Sequence, residues 1–178
     1  VERFNPVYGY LKEAASAPKF IEAHRLSPFP GRGADVGVVL DLMIHDLDIV
    51  LAFVAAPVVD VDASGIRVLS DFEDIANARI KFANGCVANV TASRVSAERM
   101  RKIRVFSGGG HPAYVSLDYR EQHGEIYRLA TDEERESSWF DKLFRRRDRK
   151  IVSAYRGVRI VREPAPLEKE EPLRNELR

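Results

Sequence analysis

The sequence predicts an α+β domain, an open and mostly antiparallel β-sheet with helices on one face. Two observations predict it. Long helical periodicity is confined to the first third of the 178 residues, and from Val58 onward it is replaced by short alternating runs punctuated by turn residues. The composition, 45% hydrophobic and 31% charged, is that of a globular chain, and a chain this long buries a substantial core without covalent staples.

The elements follow in order. Val7, Tyr8, Leu11 and Ala14/Ala15 give a rough helical period over Pro6–Ala17, with Pro6 in the first turn, where a missing N–H costs nothing. Ser16-Ala17-Pro18 ends this helix. Lys19–Leu26 alternates and reads as a strand, and Ser27–Gly33 as a Pro/Gly loop. A second helix is predicted over about Val36–Val54, with Asp35 as its N-cap and Leu40, Leu47 and Leu51 toward the core. Six to eight strands follow. Val58–Ser70 is the first, and Glu73–Phe82 and Cys86–Arg94 form a hairpin about Asn84-Gly85. Arg101–Phe106 is next, then Ala113–Tyr119 paired with Glu125–Leu129. Lys150–Arg162 closes the series, bent near Gly157.

Charge and cysteine content exclude several classes. With 28 Lys+Arg against 27 Asp+Glu the net charge is +1, not the strongly basic balance of a general nucleic-acid coat. One cysteine, Cys86, permits neither an intrachain disulfide nor a cysteine zinc cluster, and it is expected buried and inert. Asp41, His45, Asp46 and Asp48 interrupt the most apolar stretch, Val36–Pro57, so no simple membrane span is expected. Cytoplasmic residence fits these features. Residues 1–178 read as one domain, expected to be a fragment cut at both ends. The chain opens in mid-course at Val1, and Glu171–Arg178 looks like a helix just beginning.

The stretch that carries chemistry is Asp41-Leu42-Met43-Ile44-His45-Asp46-Leu47-Asp48. On a helix, Asp41 and His45 are four apart and share a side, with Asp48 close to it. A carboxylate one turn from an imidazole can orient it and raise its basicity, which suits proton transfer. A surface Asp–His pair on an amphipathic helix has the same spacing.

Four pieces carry a family resemblance: Arg3-Phe4-Asn5-Pro6, the run from Gly37 to Asp48, the run from Asp74 to Gly85, and Glu171-Pro172-Leu173-Arg174-Asn175-Glu176-Leu177. In this order and at these separations the chain resembles the C-terminal domain of the glucose–fructose oxidoreductase / inositol dehydrogenase / MocA family. The resemblance implies a glyceraldehyde-3-phosphate-dehydrogenase-like C-terminal domain, with a Rossmann domain for NAD or NADP that this chain lacks. It implies His45 as general acid/base on a substrate hydroxyl and Asp41 as the group that positions or assists it, while hydride passes to or from the nicotinamide. It also implies a sugar, cyclitol or nucleotide-sugar substrate and a homo-oligomer formed through the sheet. The Glu2-Arg3-Phe4-Asn5-Pro6 opening is most similar to members acting on nucleotide-linked amino sugars.

The departures are equally definite. Ser107-Gly108-Gly109-Gly110 is not a dinucleotide fingerprint and reads as a turn. The family's Lys in a Glu-Lys-Pro segment is absent, so this chain alone is expected to be inactive and to hold no cofactor tightly. Arg25 and Arg32 are candidate substrate-binding residues, since Arg clamps phosphate bidentately; solvated loop charge is the other reading. Asn5 is a third candidate, which could instead fix the domain junction. Arg145–Lys150 could meet an anion or stand solvated. His111 and His123 have no ligand spacing, so no metal site is expected, and the charge balance and interrupted apolar stretch lead us to expect neither a nucleic-acid nor a membrane partner. A non-catalytic binding or assembly module derived from the same domain is the alternative function.

Overall fold

The computed structural model describes residues 2–31, 35–109, 112–131 and 150–167. A 3-10 turn, Glu2–Phe4, leads into α1, Pro6–Ala14. Asn5 caps α1: its side-chain oxygen accepts from the Val7 N–H at 3.1 Å, and Pro6 takes the first helical position. The helix buries Val7, Tyr8 and Leu11 and stops at Ala14, earlier than the sequence predicts.

Strand β1, Pro18–Leu26, is followed after the loop by a five-residue π turn, Val39–Met43, which runs into α2, Ile44–Val54. The expectation that Asp35 caps a helix from Val36 is corrected. Asp35 lies outside the helix, and the loop around Glu73 performs the capping. The Val38 N–H donates to the Glu73 carbonyl at 2.9 Å and the Val39 N–H to Glu73 Oε1 at 3.4 Å. Gly37 makes room for this, since a Cβ there would lie 1.9 Å from Glu73 Oε1.

Eight strands follow α2: β2 Val58–Ile66, β3 Ile75–Phe82, β4 Val87–Ser93, β5 Met100–Ser107, β6 Ala113–Asp118, β7 His123–Leu129, β8 Lys150–Tyr155 and β9 Val158–Pro164. With β1 they form one nine-stranded sheet in the order β2-β3-β4-β1-β5-β6-β7-β9-β8. Every pairing is antiparallel except β1 with β4. The predicted hairpin forms at Asn84-Gly85. Gly85 adopts φ 80°, and Asn84 Oδ1 accepts from the Cys86 N–H at 3.0 Å.

The core lies between the helices and one side of the sheet. Ile21, Ala23, Val90, Ile103 and Val105 alternate inward beneath Val7, Leu11, Met43, Ile49 and Val50. Cys86 is buried there, and burial pushes its thiol up. The other side of the sheet carries a ladder of rings across four strands, Phe20–Phe106–Tyr114–Tyr127, with centroids 5.7, 4.7 and 5.3 Å apart.

A buried polar assembly braces the loop before β3. Arg94 and Asp74 are both fully buried, with Nε to Oδ1 at 2.8 Å. Asp74 also accepts from the N–H groups of Val68, Leu69 and Ser70, while Arg94 donates to the Val36 carbonyl and to Ser70 Oγ. Burial pushes the Asp74 carboxyl up, but the guanidinium and the three N–H donors outweigh it and hold it well below the usual carboxylate range.

Candidate active site on the π turn and helix α2

The π turn sets which residues of this segment face outward. The inward positions are Met43, Asp46, Ile49, Val50 and Val54. The sequence expectation for Leu40 and Leu51 is therefore corrected: they are 66% and 45% exposed, and only Leu47 packs partly on the core. The extra residue of a π turn shifts the helical phase that strict α periodicity assumes, and such turns occur often at functional sites.

Asp41 lies in the π turn and is half-buried; His45 begins the α-helix and is exposed. With Asp48 they occupy the solvent side of the segment. Among the described residues, no hydrogen bond or ion pair joins Asp41 to His45. Both can be reached from solvent. Asp48 is engaged elsewhere. Arg3 Nε donates to Asp48 Oδ2 at 2.7 Å and Arg3 Nη2 to Oδ1, and this pairing holds the Asp48 carboxyl below its ordinary value.

Arg25 is not at the surface. It projects from β1 under α2 and is 3% exposed. Its Nε donates to Asp46 Oδ2 at 2.7 Å and Nη2 to Oδ1 at 3.2 Å, while Nη1 and Nη2 both reach Glu2 Oε1 at 3.1 Å. The expectation of a substrate-binding Arg25 gives way to a structural role, because its fork is committed to carboxylates of its own chain. Asn5 is likewise 3% exposed and spends its side chain on the cap of α1 and on the Tyr119 carbonyl, at 3.2 Å. Arg32, His111 and residues 145–149 of the basic run lie outside the described residues.

Sequence reasoning missed Asp46 and Glu73. Asp46 falls on the apolar phase of the helix, a signal that a buried partner is required. Glu73 has no local signature except its pairing in space with Gly37. An apolar groove of about 720 Å³ runs between α2 and β2, lined by Met43, Leu47, Leu51, Val61 and Ala78. Neither Asp41 nor His45 lines it.

Among the described residues, the glycine run does not lead into a helix. Ser107-Gly108-Gly109 ends a strand, with Gly109 at φ 91°, and no helix begins there to meet a phosphate.

Residues 18–111 match the model of the GFO/IDH/MocA C-terminal domain. The chain belongs to the GFO/IDH/MocA family. Over 128 residues it is 41% identical to a UDP-N-acetylglucosamine 3-dehydrogenase of Acidithiobacillus ferrooxidans, which covers 71% of this chain and 40% of that protein. A solved structure of that enzyme superposes on 99% of this chain and 49% of its own, with a TM-score of 0.78 and 35% identity. A levoglucosan dehydrogenase in complex with NADH and L-sorbose shares the fold, with a TM-score of 0.60 and 18% identity over 74% of this chain and 42% of its own. The chain spans less than half the length of these relatives. Among the described residues, no helix is long and apolar enough to cross a membrane.

Proposed function

We propose that the complete protein is an NAD- or NADP-dependent dehydrogenase that oxidises a ring hydroxyl of a nucleotide-linked amino sugar, UDP-N-acetylglucosamine being the first candidate. The observation that carries this reading is the similarity to the UDP-N-acetylglucosamine 3-dehydrogenase, 41% identical over 128 residues. A bound nicotinamide would supply the hydride acceptor. This chain supplies the proton chemistry. The His45 imidazole takes the hydroxyl proton as the carbon gives up its hydride, leaving a carbonyl, and returns the proton in the reverse direction. Asp41, in the π turn just ahead of the helix, assists by stabilising the imidazolium that forms. The accessibility of both groups supports these roles.

In this reading the 178-residue chain alone is inactive, since the dinucleotide is bound by a separate domain of the complete protein. The open sheet side, with its ring ladder, is the surface through which copies of the protein associate. The proposal is tested with the complete protein, NAD+ or NADP+ and UDP-N-acetylglucosamine, following reduced cofactor. Turnover is expected, and His45→Ala is expected to lower kcat by about 10²–10⁴. Unchanged turnover in His45→Ala would remove His45 from the chemistry.

A further inference from the structure

We propose that Arg25 is a positioning residue, which holds Asp46 from beneath and so aims the adjacent His45 outward at the substrate. The inference rests on the dehydrogenase reading above.

His45 has no hydrogen-bond partner among the described residues, so its placement is that of the helix backbone carrying it. Helix α2 continues directly from the π turn that Glu73 caps, and it has no side-chain cap of its own, so the roll of its first turn is set by what that turn packs against. Asp46, in that first turn, is the one carboxylate of the helix directed into the core, and its side chain is 7% exposed.

Arg25 meets it from β1, a central strand bonded on one edge to β4 and on the other to β5. A guanidinium donating two bonds to one carboxylate fixes both distance and orientation. Fixing the direction of Asp46 fixes the roll of the helix about its axis. Its neighbour then points about 100° away, on the solvent side. The charges close locally, since Arg25 bridges Asp46 and Glu2 and Arg101 stands 3.9 Å from Glu2. Nearby, Arg3 binds Asp48 further along the same helix. The short segment Glu2–Arg3 thus braces α2 through two residues, and Arg25 is the member that also ties it to the sheet.

A residue that only held the fold together would, when weakened, lower stability and leave the turnover of folded molecules unchanged. A positioning residue changes kcat in folded enzyme. The test uses the complete protein with Arg25→Lys, Asp46→Asn and, as a remote control, Lys81→Gln. Arg25→Lys keeps the charge but cannot form the fork, and Asp46→Asn keeps the shape but loses the charge pair. Both are expected to lower kcat with UDP-N-acetylglucosamine about tenfold to a hundredfold, with KM for the sugar nucleotide and cofactor within about twofold. The control is expected to match the wild type. The His45 imidazole NMR signal, assigned by its loss in His45→Gln, is expected to shift in both variants. Folded variants with wild-type kcat and an unmoved His45 signal would overturn the proposal, as would loss of folding in both, which would assign the pair to stability alone. A wild-type protein that turns over no nucleotide sugar would overturn the dehydrogenase reading instead, and the His45 signal would then decide the positioning by itself.

Discussion

Removing Arg25 altogether tests how much the buried cluster contributes to stability. Arg25→Met preserves much of the side-chain volume and strips out four hydrogen bonds, two to Asp46 and two to Glu2. The side chains concerned are 4%, 7% and 12% exposed, so water cannot fully replace the lost donors at Asp46, while Glu2 lies nearer the rim. A buried carboxylate left without its partner costs about 3–5 kcal/mol. With a denaturant slope of about 2 kcal/mol per molar urea, the midpoint falls by about 1.5–2.5 M. Asp46→Leu alone costs less, about 1–3 kcal/mol, because Arg25 keeps Glu2. The double variant Arg25→Met/Asp46→Leu is expected to recover at least about 2 kcal/mol relative to the sum of the two, since an apolar pair of matched volume can replace a buried ion pair with little loss. Urea unfolding of the purified protein followed by circular dichroism reads all four corners of the cycle. An Arg25→Met variant within about 1 kcal/mol of wild type, or strict additivity, would refute the reasoning that Asp46 is stranded in low dielectric.

Two further outcomes are expected. The Asp74 carboxyl is depressed in the folded state, so its stabilisation is complete above the ordinary carboxylate value, about pH 4, and declines progressively as pH falls from there toward the lower folded value. Asp74→Asn should flatten the fall of unfolding free energy below about pH 4, measured by urea titration across acid pH; an unchanged acid slope would contradict it. Gly124→Ala would place a Cβ 2.3 Å from Leu117 Cδ2 and 2.5 Å from the Ser116 carbonyl on the paired strand. That overpacking should cost about 1–3 kcal/mol in thermal unfolding, and a neutral result would mean that β6 and β7 separate easily.

Much of the fold was legible because its signals are local. Pro6 marks the start of α1, Asn84-Gly85 marks the β3–β4 turn, and Gly157 marks the turn between β8 and β9, where it takes φ 81°. Strand limits moved where a segment ends for tertiary reasons: the run predicted to Ser70 stops at Ile66, because Ser70 is drawn into the Asp74–Arg94 cluster. The candidate site divided in the same manner. Asp41 and His45 are visible from type and spacing, whereas the partners of Arg25 and Asn5 are not, since nothing in their neighbours announces that Asp46 and the Tyr119 carbonyl await them.

The sequence by itself determined the class of the domain, the order of its elements and the spacing of Asp41 and His45, since periodicity and turn chemistry act over a few residues. Tertiary structure alone decided that β1 lies mid-sheet and parallel to β4, that Glu73 rather than Asp35 caps the π turn, and that Arg25 closes on Asp46. These pairings join groups tens of residues apart. Their energies depend on burial and dielectric, which exist only once the sheet has formed and the helix has been laid across it.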